Sequence, residues 1–188
     1  MLHIAWLYPC TSVLSALLHS VASCPAEEFQ LLLCPAATEE QLLTVHTKQY
    51  IRHLAATAAA DSYSKLRTAA LQALGLGSHA DNYVNQHTDQ AAKLAAGGAI
   101  AAAVCVTNGR APAALALVRP PGHHAEHSRA SGYCFFANGA LAAEAVLQTT
   151  PITQVILFDA DVHDGNGTRM IYLESSNVFN ISFHRYDK

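Results

Sequence analysis

The sequence predicts an α/β protein built on a mostly parallel sheet, and three observations carry the prediction. Apolar β-branched runs alternate with helical periodicities in the order strand, helix, strand, helix, strand, a spacing that marks parallel strands with helical crossovers. The chain has 188 residues, 51% hydrophobic and 13% charged, with no repeat, low-complexity linker or charge block. That composition suits one domain over residues 1–188 with a sizeable core. Two polar clusters, His123-His124 and Asp161 to Asn166, follow the carboxyl ends of predicted strands, where open α/β sheets bind their ligands.

Taken in order, Ser12 to Val21 has helical character, with Leu14, Leu17 and Leu18 on one face. Phe29 to Leu33 is a short apolar run ending near Pro35 and reads as a strand. Thr38-Glu-Glu-Gln41 fits a capping box, followed by helical segments through Leu42, Leu43, Val45, His46, Tyr50, Ile51 and Leu54. The alanine-rich stretch Ala55 to Ala70 fits helix or surface loop equally. Leu74-Gly-Leu-Gly-Ser78 reads as a flexible connection. A long helix spans Thr88 to Val106, with Ala91, Ala95, Gly98 and Ala99 small enough to let it lie close to a sheet, and Asn108-Gly109 stops it. Ala113 to Val118 reads as a buried strand halted by Pro120-Pro121-Gly122. Asn138 to Leu147 is helical, Val155 to Phe158 a buried strand, Gly167 to Leu173 helical and Val178 to Phe183 a further strand.

Composition also excludes function classes. The formal charge of −3 lacks the basic stripe of a nucleic-acid-coating protein, and no run is long and clean enough to predict a membrane span. The five cysteines, Cys10, Cys24, Cys34, Cys105 and Cys134, are odd in number and form no Cys-x-x-Cys pair. They point to a reduced, intracellular protein, most of them acting as small buried hydrophobes. Met1 to Cys24 imitates a secretory signal but lacks the cationic start and is interrupted by Pro9. Histidine numbers 11, equal to Lys plus Arg, which suggests metal or proton chemistry where the spacing is right.

The spacing is right beyond Val155 to Phe158. On an extended strand Asp159, Asp161 and His163 share one side, and three polar groups at a buried strand end are costly unless something binds there. Asp161 and His163 offer the oxygen and nitrogen donors that Zn²⁺ accepts, although a catalytic zinc needs three. Asp159 serves either as a supporting hydrogen-bond partner or as a ligand for a separate hard cation. A structural Asp–His pair capping the turn is the alternative. Gly165 and Gly167 allow the sharp entry into the next helix. His123 and His124, held by a Pro-Pro-Gly turn, could divide the base and acid roles of amide hydrolysis, with Asp159 and Asn166 as their partners. His46, His53, His79, His87 and His127 read as structural or solvated.

Arg119-Pro-Pro-Gly-His-His-Ala-Glu-His-Ser128, Gly132-Tyr-Cys-Phe-Phe136, Asp161-Val-His-Asp-Gly-Asn-Gly-Thr168 and Ser182-Phe-His-Arg-Tyr-Asp187 together resemble the zinc-dependent histone deacetylase family, most closely its class II members. Weaker similarity runs back to about Leu31, which leaves residues 1–30 divergent. The resemblance implies a three-layer arginase–deacetylase fold, incomplete in this chain, and hydrolysis of the acetyl amide of acetyl-lysine in histones or other proteins, in chromatin regulation. It makes Asp161 and His163 zinc ligands, His124 the general base and acid, His123 its electrostatic partner, and Asp159 and Asn166 their orienting groups. Gly132 and Tyr133 would line the acyl-lysine channel, and Asp81 would hold the substrate backbone at its rim. A potassium site would use Asp159, Asp161, Ser182 and the backbone at His163 and Phe183. Implied partners are an acetylated protein or a small acetylated amine, with co-repressor proteins, in nucleus or cytoplasm; neither membrane binding nor sequence-specific nucleic-acid binding is implied.

Four departures qualify the expectation. Asp164 stands where the family usually has a second histidine, and Tyr133 where it usually has Phe. The usual N-terminal loop is replaced by Cys10 to Cys24. The family's third zinc ligand, an Asp, and its oxyanion-stabilising tyrosine fall after Lys188, so the chain reads as an N-terminal portion of the domain and a catalytically incomplete one. Two alternatives remain: a non-catalytic acyl-lysine-binding scaffold, and a deacetylase of small acetylated amines. A two-manganese ureohydrolase is disfavoured because it would want a carboxylate at Gly165.

Overall fold

A computed structural model of the protein describes residues 3–6, 30, 34–59, 71–76 and 83–186. Its sheet has three parallel strands in the order β1 (His3–Trp6), β2 (Val155–Asp159) and β3 (Val178–Ser182). Ile4 lies opposite Leu157, which lies opposite Asn180, so the central strand is β2. Parallel order and the helix between β2 and β3 agree with the expected α/β class. The strand at His3–Trp6 was not anticipated: the apolar start that imitates a signal sequence here supplies an edge of the sheet.

Five helices accompany the sheet among the described residues: α1 (Glu39–Leu43), α2 (Lys48–Ala56), α3 (Thr88–Thr107), α4 (Asn138–Thr149) and α5 (Asn166–Ile171). The capping box forms as expected. The Thr38 hydroxyl accepts from the Gln41 N–H at 3.2 Å, and the Gln41 amide accepts from the Thr38 N–H at 2.9 Å. Thr47 caps α2 in the same way, so the periodic run 39–56 divides into two helices at Thr44 to Thr47. A 3₁₀ turn, Thr57–Ala59, follows. The expected elements at 12–21 and 61–70, and nearly all of the one at 29–33, lie outside the described residues, as do Gly77 to Asn82 with His79 and Asp81.

Three expectations are corrected. Residues 113–118 form neither strand nor helix and are largely exposed, because among the described residues no ladder partner lies beside them. Leu74 to Leu76 is no flexible link. Gly75, at φ 76°, ends a helical turn whose Leu71 carbonyl accepts the Leu76 N–H, and Leu74 and Leu76 are buried. The small residues of α3 serve its packing on α4 and on the 34–37 segment rather than on the sheet. A Cβ at Gly97 would strike the Pro35 carbonyl, and one at Gly98 would crowd Val118 and Cys34.

The core lies between α3, α4 and one face of β2. Ile100, Leu141, Val146, Val155 and Leu157 are buried there with Leu42, Leu54 and Phe136. By length and composition α3 could cross a membrane, contrary to the reading of the sequence, yet half of it is buried as the central helix of this core. On the opposite sheet face, no described helix covers the aromatic side chains. Phe158 and Phe183 stack with ring centroids 5.5 Å apart, and Phe179 beside them is exposed.

Candidate active site

β2 delivers its last residue, Asp159, into the core, where the residue is 5% exposed. There its carboxylate accepts a 2.8 Å hydrogen bond from His123 Nδ1 and a 3.0 Å bond from the Asp161 N–H. Burial opposes the charged carboxylate, but these bonds and the neighbouring imidazoles outweigh it and hold Asp159 below the usual carboxylate range. An ionised Asp159 assigns the Nδ1 proton to His123.

His124 takes a different partner. Its Nδ1 lies 2.6 Å from Asn166 Oδ1, an atom that only accepts, so Nδ1 carries the proton and Nε2 is the basic nitrogen of the neutral ring. Burial first, and the adjacent His123 second, lower its pKa below the ordinary imidazole value. The two rings lie 4.0 Å apart, centroid to centroid. The expected pairing of His123 with Asp159 and His124 with Asn166 is therefore present.

This loop is held against the start of α5 by the Thr168 N–H donating to the His123 carbonyl at 3.1 Å. Glycine matters here for space rather than for φ. Gly165 has φ −72°, open to any residue, but a Cβ on it would collide with the Asp159 carboxylate. A Cβ on Gly167 would collide with the backbone of His124 and Ala125. The expected role of these glycines, a sharp turn, is thus replaced by close approach. A ureohydrolase-type carboxylate at 165 has no room either.

Gly132 and Tyr133 form the turn that faces His124, both in left-handed conformation at φ 51° and 64°. The turn is closed by reciprocal hydrogen bonds between Ser131 and Cys134, and a Cβ on Gly132 would overlap the His124 ring. Tyr133 is 52% exposed, consistent in position with a channel wall. Cys134, buried behind the turn, accepts from the His124 N–H at 3.4 Å; burial pushes its thiol up to about 12, so it stays protonated.

Asp161 and His163 lie past the end of β2, where the chain has already turned, so only Asp159 obeys the strand alternation. Asp161 Oδ1 accepts from both the backbone N–H and Nδ1 of His163 at 2.8 Å, and lies 3.9 Å from His123 Nε2. The His163 ring is 70% exposed and 6.0 Å from that of His124. These are zinc-type donors, side by side on the rim of the histidine pair. They number two, and among the described residues no group of three or more His, Cys, Asp or Glu side chains comes together to hold a metal. In donor chemistry the pair fits zinc, of whose three or four protein ligands it would be two.

Of the other potassium candidates, Ser182 Oγ lies 2.9 Å from His184 Nδ1, and the Phe183 N–H donates to the Asp159 carbonyl at 2.9 Å. Asp164 pairs outward with Arg169 at 2.7 Å, and that hydrogen bond holds its carboxyl below the usual range.

Sequence reading set aside one group that the structure joins to the site. His46 is 3% exposed, its Nε2 accepts from the Ala137 N–H at 3.0 Å, and its Nδ1 donates to the His127 carbonyl at 3.3 Å. Burial pushes it down to about 4, so it is neutral. Its tie to the Gly-Tyr-Cys-Phe-Phe motif joins residues 91 positions apart, which no local pattern encodes.

A partnered histidine pair thus lies at the carboxyl end of a parallel sheet, beside an Asp–His donor pair, the place where α/β sheets bind ligands. The comparisons give the family. The histone deacetylase domain matches residues 9–188, and the chain belongs to that family, within the arginase–deacetylase superfamily. It is 37% identical over 155 residues to histone deacetylase HDA1 of Saccharomyces cerevisiae, covering 81% of this chain and 21% of that protein. It is 40% identical over 156 residues to a histone deacetylase-like amidohydrolase of Pseudomonas aeruginosa, covering 83% of this chain and 38% of that one. The crystal structure of the HDA15 HD domain superposes with a TM-score of 0.77 at 32% identity, over 92% of this chain and 45% of that one. The chain thus spans less than half of each of these relatives, and the fold it shares with them is of the arginase–deacetylase type.

Proposed function

We propose that this chain forms the acid–base side of a zinc-dependent protein lysine deacetylase, acting on the acetyl amide of acetyl-lysine in a histone or other intracellular protein. The observation that carries the reading is the pair of adjacent, mutually tilted imidazoles with separate partners, Asp159 for His123 and Asn166 for His124. Amide hydrolysis needs a base for the attacking water and an acid for the departing amine. His124 serves both, because Asn166 holds its proton on Nδ1 and leaves Nε2 to take up and return one. His123, polarised by the Asp159 carboxylate, stabilises the positive charge that His124 acquires. Gly132 and Tyr133 wall the acyl-lysine channel, and Asp81 holds the substrate backbone.

Asp161 and His163 are the proposed zinc donors. Zinc in that place supplies Lewis acidity toward the amide carbonyl and toward water. Among the described residues these two are the donors at this place, and the described site is proposed to be catalytically incomplete, needing a third donor and an oxyanion-stabilising group besides. Loss of one oxyanion donor costs roughly 10²–10³ in rate. K⁺ is proposed at Asp159, Asp161, Ser182 and the backbone of His163 and Phe183. The whole domain would act with co-repressor proteins in nucleus or cytoplasm. Zinc titration calorimetry and deacetylation of an acetyl-lysine peptide, run on this chain and on a longer one, test the reading. Tight zinc binding and full turnover by the 188 residues would refute the incompleteness. No turnover by the longer chain would refute the activity.

The two-donor count favours one rival, a non-catalytic acyl-lysine-binding scaffold. Tight peptide binding by the longer chain, without turnover and unchanged by His124→Ala, would establish it.

A further inference from the structure

The loop between Glu126 and Ala137 is fastened at both ends to the junction of α1 and α2. At its start, the His127 carbonyl accepts from His46 Nδ1 and from the Thr47 N–H at 3.0 Å, and His127 Nδ1 bonds the Val45 carbonyl. At its end, His46 Nε2 accepts from the Ala137 N–H, and the Tyr50 hydroxyl donates to the Phe135 carbonyl. Between these fastenings the loop carries the Gly132–Tyr133 turn, which lies against the His124 ring, and Cys134, which supports the His124 backbone. One imidazole therefore bonds both ends of the loop, while its faces pack on Tyr50 and Phe136 at centroid distances of 5.4 and 5.2 Å.

We propose that His46 is a positioning residue for the active site. Its ring latches the 126–137 loop, so that the Gly132–Tyr133 wall and His124 keep a fixed mutual placement. The ring does this with one protonated and one bare nitrogen, since one loop end presents a carbonyl and the other an N–H. Replacing it by phenylalanine keeps the packing and leaves both loop groups buried without that partner, which favours local opening of the loop over unfolding of the core. The proposal rests on this loop lining the site, but not on metal or turnover.

Cys134 in the loop and Cys105 in α3 are both buried, so their labelling by a small thiol reagent separates local from global opening. In His46→Phe, labelling of Cys134 should rise at least about tenfold while that of Cys105 stays within about twofold of the parent. His46→Gln, whose amide offers a donor and an acceptor, should return Cys134 toward the parent rate. Tyr50→Phe, which removes one fastening without changing the packing, should give a smaller rise at Cys134 alone. A parallel rise at both cysteines means a merely structural role and overturns the proposal, as does an unchanged Cys134. Failure of His46→Gln to restore protection overturns the hydrogen-bond assignment. Because neither zinc nor substrate enters the measurement, these outcomes are distinct from failure of the deacetylase reading.

Discussion

The two halves of the candidate site are built to different standards. His123 is buried and His124 half-buried, each bonded to a partner, with glycines whose missing Cβ atoms make room for His124 and for the Asp159 carboxylate. Asp161 and His163 sit a few ångströms away on a turn, bonded to one another, with the His163 ring mostly in water. The enclosed half draws its geometry from β2, α5 and the 120–137 loop, all present together. Among the described residues the open half brings two donors together and no third. The acid–base pairing is therefore set by contacts that do not depend on a filled metal site.

Mutations should break the halves unequally. The largest effect is expected from His123→Ala, which leaves the Asp159 carboxylate buried without its imidazole. Removing one member of a buried pair costs about 3–5 kcal/mol, read as a lowered urea midpoint. A loss below about 1 kcal/mol would mean that the pair is not enclosed.

Acid should open the same half. His46 titrates near 4 when folded and near 6.5 when unfolded, so the unfolded chain binds more protons between those values. The contribution is fully present above about pH 6.5 and lost as pH falls through about 4. By pH 4 the loss is about 3 kcal/mol, at 1.4 kcal/mol per pKa unit. His127 and Tyr50 are the titratable side chains shown beside this ring, and a charge on His127 would oppose one on His46. His46→Gln should flatten this part of the stability–pH curve; an unchanged slope would assign it to other groups.

Gly132→Ala comes next, at about 2 kcal/mol, because the new Cβ meets the His124 ring at a positive φ. A stable Gly132→Ala protein with unshifted His124 NMR signals would break the close-packing account. His163→Ala should change stability by no more than about 0.5 kcal/mol while reducing zinc uptake in calorimetry. A larger stability loss would show that the open half carries structural weight after all.

Local signals were legible in the sequence. Thr38 and Gln41 form their capping box, α3 ends at Asn108-Gly109, and β2 and β3 lie where the β-branched runs place them. The motif histidines also find the partners expected of them. What was not legible depends on partners distant in the chain. Residues 113–118 have a strand's composition but, among the described residues, no neighbour to pair with, whereas His3–Trp6 has one in β2. Gly165 looks like a turn residue until the Asp159 carboxylate is placed against it. His46 looks like one more helix histidine until Ala137 and His127 arrive at its two nitrogens.

Phe158, Phe179 and Phe183, on the side of the sheet that no described helix covers, bear on how the protein behaves at concentration. β3 has no further ladder partner among the described residues, and an open edge beside an aromatic surface is a template for strand addition. Association that rises with concentration, read by light scattering, is the expected consequence. Lysine at 179 or 183 is the substitution expected to keep the protein dispersed, since charge on an edge strand discourages stacking of one copy on the next.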